Sequence, residues 1–125
     1  TGKTWIGVDV DQAKSVTDPA PLTSATKGLK ESVTSALEVY MNEQWADIGG
    51  NNYNLGLNTV FGKLAGKDYV GLPTDNSSWN FTSFTKDQYN ALLSGIKNGT
   101  YTISGSTTAA PEVSIAVDYV SKFTN

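Results

Sequence analysis

Between Gly28 and Asp47 the apolar side chains Leu29, Val33, Ala36, Leu37, Tyr40, Met41 and Trp45 stand at offsets of 4, 7, 8, 11, 12 and 16 from the first. A helix of 3.6 residues per turn gathers such positions on one face, and a strand does not. Lys30, Glu31, Thr34, Ser35, Glu38 and Asn42 form the opposite face. Gly49-Gly50 supplies the left-handed residues at which helices stop, so a helix is expected over residues 28–47. Its broad apolar face needs a layer to lie on, and the flanking segments read as strands, which makes the chain α/β.

The first of these segments is Trp5 to Val8, which reads as a short buried strand that runs out into Asp9 and, with one residue between, Asp11. In open α/β sheets ligands bind beyond the carboxyl ends of the strands, so an acid where an apolar strand stops is a candidate ligand contact. Residues 13–21 hold two prolines and no sustained period, which marks a loop. Pro21 then favours an extended return over Leu22 to Ala25. If both segments reach the same sheet edge, Ser24 and Lys27 lie beside Asp9, giving a polar pocket of Asp9, Lys27, Asp11 and Ser24. The alternative is that Thr23, Ser24 and Lys27 only cap and solvate the next helix.

Further along, Tyr53 to Phe61 alternates and predicts a half-buried strand. Asp68 to Leu72 predicts another, stopped by Pro73, and the two can pair as a hairpin. Thr74 to Ser83 is a polar loop with Trp79 and Phe81 embedded, read mainly as a lid over the core edge. Thr85 with Gln88 makes a capping box, flanked by Phe84 and Tyr89 as a hydrophobic staple. A helix follows over 85–98, with Tyr89, Leu92, Leu93 and Ile96 as its buried stripe. In the tail 104–125, Val113 to Tyr119 fits a strand and a helix equally well.

Composition removes several function classes. The net charge is −3, with nine lysines and no arginine, so no concentrated basic face is available for tracking phosphates, and no nucleic-acid partner is expected. Without histidine or cysteine the chain has no imidazole base, no thiol nucleophile, no disulfide and no zinc–thiolate site. No cofactor is called for. The 125 residues suffice for one domain that buries about two-thirds of its unfolded surface.

Taken together, Gly7-Val8-Asp9-Val10-Asp11-Gln12, Leu22-Thr23-Ser24 with Lys27, Gly71-Leu72-Pro73 and Phe84-Thr85-Lys86-Asp87 resemble the C-terminal part of the basic-membrane-protein family. These are lipid-anchored, nucleoside-binding substrate-binding lipoproteins of bacterial ABC transporters, related to the type I periplasmic binding proteins. The resemblance implies a fragment of a type I periplasmic-binding-protein-like fold, a sheet flanked by two main helices. Residues 1–103 would be the C-terminal portion of the binding protein, and 104–125 a tail of uncertain structure. It also implies an extracytoplasmic life at the bacterial membrane, a nucleoside or related small solute as ligand, a transporter permease as partner, and no enzymatic activity. A lone C-terminal piece would leave strand edges unpaired, so self-association through those edges is expected.

Two other readings compete. A surface sensor or adhesion module could reuse the same fold. A carboxylate-dependent hydrolase could use Asp9 and Asp11 as a general acid/base pair, because residues two apart on a strand face the same side.

Overall fold

The computed structural model describes residues 3–104. It is a small mixed α/β domain with a three-stranded sheet and two helices: β1 (Ile6–Asp9), β2 (Thr23–Lys27), α1 (Leu29–Met41), β3 (Val70–Gly71) and α2 (Lys86–Lys97). Single 3-10 turns lie at Gln12–Lys14 and Trp45–Asp47. The strand order is β1-β2-β3, with β1 and β2 parallel (Gly7 beside Ser24, Asp9 beside Thr26) and β3 antiparallel to β2. The long loop out of β1 is tied back by Trp5, whose indole N–H donates to the Pro19 carbonyl at 3.0 Å, and by Leu22 N–H, which donates to the Trp5 carbonyl. Asn80 pins the 74–83 loop over the start of β2, donating from its backbone to Leu22 and from its side chain to Pro21.

The helix expected to Asp47 ends at Met41, and the reason is a Schellman motif. Glu43 adopts φ 58°, its N–H donates to the Tyr40 carbonyl, and Gln44 N–H donates to the Val39 carbonyl. That double bond pattern closes a helix around a left-handed residue. The left-handed residue is usually glycine, so glutamate in this place left no sign in the sequence. Trp45–Asp47 forms a separate turn, and Gly50, at φ 77°, reverses the chain only after it.

The α1 stripe is only partly used. Ser35 and Val39 are fully buried and Ala36 packs beside them, whereas Leu29, Val33, Leu37, Tyr40 and Met41 are exposed. The expected burial of Leu37, Tyr40 and Trp45 is therefore corrected: α1 rests on the side that carries Val39, Ala36 and Ser35, the last of which was expected on the solvated face, while most of its apolar stripe is exposed. What it meets is Ile48, Phe61 and Leu64, which with Val39 form the core. The strand expected over 53–61 is absent. Among the described residues its sheet-like contacts are the antiparallel bridge between Thr59 and Lys67 and the bond from Tyr69 N–H to the Gly56 carbonyl. Asn58 turns left-handed at φ 48°, which breaks the two-residue alternation and lets Phe61 and Leu55 pack on α1. Lys67–Glu38 at 2.9 Å and Lys63–Asp47 at 3.1 Å fasten this segment to α1 and to the turn behind it.

The second helix follows expectation closely. Thr85 caps it, accepting from Gln88 N–H while the Gln88 side chain accepts from Thr85 N–H. Trp79 stacks on Phe84 and tilts against Phe81 and Tyr89, so the embedded aromatics do close the core edge. Leu92 points outward at 41% exposure, which corrects the inner stripe to Tyr89, Leu93 and Ile96. Neither helix makes an extended contact with the strands. The expectation of two helices laid on the sheet is thus replaced by helices laid on loops, and β1, expected to be buried, leaves Ile6 and Val8 exposed. The tail from 105 onward, with its undecided Val113–Tyr119 stretch, lies outside the described residues.

Candidate functional site

At the end of β1 the Val8 carbonyl accepts from Val10 N–H at 2.9 Å, and Asp9 between them has φ 70°. An i to i+2 hydrogen bond across a positive-φ residue is the rarer, strained form of the γ-turn. Aspartate tolerates the left-handed region better than most residues, but a glycine would occupy it with less strain. Strained backbone of this kind clusters at functional sites, which makes Asp9 worth following.

The turn is held from beneath. Gln12 returns its side-chain oxygen to Val8 N–H at 3.1 Å, and its own N–H donates to Ser24 Oγ at 3.1 Å. Gly7 lies against both groups, and a side chain in its place would displace one of them. Ser24 is fully buried, so its hydroxyl braces the turn instead of facing solvent.

Of the four residues named from sequence, the structure brings Lys27 to Asp9, sets Ser24 beneath the turn and turns Asp11 away. Lys27 Nζ stands 2.5 Å from Asp9 Oδ1, with both side chains at least half exposed. The contact is an ion pair without hydrogen-bond alignment, and Oδ1 is shielded with no aligned donor. Asp11 faces the other way. Its Oδ2 accepts from the buried Ser78 hydroxyl at 2.7 Å and pairs with Lys14 at 3.3 Å. Lys14 also reaches Asp75 at 3.4 Å, and its hydrogen bonds to Asp11 and then Asp75 raise its pKa. Asp11 therefore ties the 74–83 loop to the strand end. Each carboxylate has its own lysine, so the geometry does not present them as a proton-sharing pair.

Beside Lys27 opens a cavity of about 380 Å³, lined by Val8, Ala25, Val70, Leu72, Tyr89 and Leu93 among others. Its wall is almost wholly apolar, and Lys27 belongs to both the cavity and the Asp9 pair. Tyr89 is fixed there because its hydroxyl accepts from Leu72 N–H at 2.8 Å. An apolar slot with a few charged groups at the rim is the usual form of a small-molecule site. Sequence reading missed the slot because Leu72, Tyr89 and Leu93 come from two distant segments. Only the position of Tyr89 on the first turn of a well-capped helix hinted that it is held rigidly.

Among the described residues there is no cluster of three or more potential metal-binding acids, histidines or cysteines, and no helix long and apolar enough to cross a membrane. Comparison with family models, curated proteins and solved structures yields no match for the chain.

Proposed function

We propose that this chain is the ligand-contacting C-terminal piece of an extracytoplasmic solute-binding protein, of the type I periplasmic-binding-protein-like class, that serves a bacterial ABC transporter and takes a nucleoside or a related small solute. One observation carries this reading: a carboxylate held at positive φ at the carboxyl end of a strand, beside an apolar slot with which it shares a lysine. A carboxylate suits vicinal hydroxyls because two oxygens accept two charge-assisted hydrogen bonds. The slot offers an apolar surface to the flat base of the same ligand. Lys27, ion-paired with Asp9 and lining the slot, then offers its ammonium to the solute. In this reading the parent is lipid-anchored at the cell membrane and hands its solute to a permease, and the chain performs no turnover.

A sensor or adhesion module built on the same site remains the second reading, and a hydrolase the third. The separate pairing of Asp9 and Asp11 favours neither acid/base role. The test is titration calorimetry of nucleosides, free ribose and free bases against the longest natural chain containing these residues, with Asp9→Asn and Lys27→Met in parallel. Nucleoside binding that weakens by about thirtyfold or more in Asp9→Asn is expected. Undiminished binding in that variant moves the site elsewhere, and product formation from a nucleoside replaces transport by hydrolysis.

A further inference from the structure

The face of α1 that the described residues leave uncovered has the form of an interface. Leu29, Val33, Leu37 and Met41 lie four residues apart along one ridge, with Tyr40 beside them, and their exposures run from 54% to 79%. Trp45 continues the patch, half exposed and set edge-on to Tyr40 at a ring separation of 6.4 Å. At roughly 100–250 Å² for side chains of these types, the six present on the order of 600 Å² of apolar surface. The largest such patch on a typical monomer is about 300–600 Å² and is often functional.

We infer that this ridge is a self-association surface, and that its occupant is the same ridge on a second copy of the chain. The area fits. A standard interface buries about 800 Å² per partner, and about 65% of a homodimer interface is apolar, which is close to what the ridge provides. The spacing fits too. A ridge of residues four apart packs into the groove beside an identical ridge at a crossing of about −50°, and a twofold axis passing between Val33 and Leu37 on the exposed face sets Val33 against the partner copy's residue at position 37 and Leu29 against its position 41. Charge agrees with the antiparallel sense. Lys30 flanks one end of the ridge and Glu43 the other, neither has an ion-pair partner among the described residues, and the twofold brings each toward the other's counterpart. The free edge of β1 is the weaker site, because four residues offer a short ladder while the helix offers a full ridge. The inference is independent of any solute at Asp9.

Sedimentation equilibrium of the 125-residue chain over a concentration series tests it. A reversible monomer–dimer equilibrium is expected, and Val33→Glu with Leu37→Glu should raise the dissociation constant at least about thirtyfold without changing the circular dichroism spectrum. Because the chain has no cysteine, Val33→Cys with Leu37→Cys provides a second readout: oxidation should give a covalent dimer even if the glutamate variant folds poorly. A monomer at every concentration overturns the inference. So does a dimer that survives both glutamates and yields instead to Ile6→Lys on β1.

Discussion

A Cβ atom on Gly7 would stand 2.5 Å from the Ser24 hydroxyl and 2.6 Å from the Gln12 side-chain oxygen. Those are the two groups that hold the Asp9 turn, so the glycine is required by space and not by backbone angle. Gly7→Ala must push Gln12 off Val8 N–H or shift β1 away from β2. Overpacking of this kind costs about 1–3 kcal/mol, which urea unfolding will read as a lower midpoint. A midpoint unchanged within error would mean that the brace is looser than its distances imply.

Asp9 itself separates stability from function. Asp9→Gly relieves the positive φ, and the ion pair it sacrifices is exposed on both sides and contributes at most about 1 kcal/mol. The glycine variant should therefore be no less stable than the natural protein, while Asp9→Val, branched at Cβ in a left-handed turn, should lose about 1–2 kcal/mol. Both should lose solute binding if the proposed site is right. Thermal unfolding of the pair gives the ranking, and a glycine variant much weaker than the valine one would contradict the strain argument.

Two neighbours on α1 should respond in opposite ways to the same truncation. Val39 is wholly buried among Ile48, Phe61 and Leu64, whereas Leu37 is 54% exposed. Val39→Ala removes buried methyls and leaves a cavity, a loss of about 1–3 kcal/mol. Leu37→Ala should stay within about 0.5 kcal/mol in the monomer. Denaturation at low protein concentration, where association is suppressed, makes the comparison clean.

That contrast shows what was legible in the sequence and what was not. Periodicity located α1 and its apolar face, but a period does not report which side of a helix is covered. The side that is buried carries Val39 and Ser35, and the serine, expected in solvent, is taken inside because the Tyr69 hydroxyl partners it. The capping box at Thr85 was readable because its signal is local and chemical. The early end of α1 at Glu43 was hidden because the bonds that close it are backbone bonds. The false strand at 53–61 arose because Tyr53, Leu55, Leu57 and Phe61 do alternate, while the Asn58 turn that breaks them is held from outside by Asp68. For the site, Asp9 and Lys27 were found through the strand end, and the apolar slot was not, since it is assembled from segments remote in sequence.

A buried hydroxyl pair joins α1 to the start of β3: Tyr69 and Ser35, both almost inaccessible, approach at 3.0 Å, with the phenol donating. Tyr69→Phe strands the Ser35 hydroxyl without that partner, and an unsatisfied buried group costs about 1–3 kcal/mol. Adding Ser35→Ala to the variant should recover part of the loss, so the double change should cost less than the two single changes added together. Strict additivity in the double-mutant cycle would show that the contact carries no coupling.

Acid sensitivity should centre on Asp68. Its Oδ2 pairs with Lys97 at the C-terminal end of α2 and its Oδ1 accepts from Asn58 N–H at 2.8 Å, so one carboxylate holds both α2 and the left-handed Asn58 turn. The Lys97 hydrogen bond, helped by the Asn58 bond and opposed by partial burial, lowers its pKa below the ordinary aspartate value. A carboxyl whose folded pKa is depressed binds protons more readily in the unfolded chain. Its contribution is therefore complete above the unfolded value of about 3.9 and is lost as pH falls through the lower folded value. The group is 40% exposed, and screening by solvent limits the pair to about 1 kcal/mol or less. Melting temperatures of the natural chain and of Asp68→Asn, measured from neutral pH into the acid range, should differ at neutral pH and converge below about pH 4. Parallel curves across that range would show that the carboxylate's charge does not contribute to holding the turn.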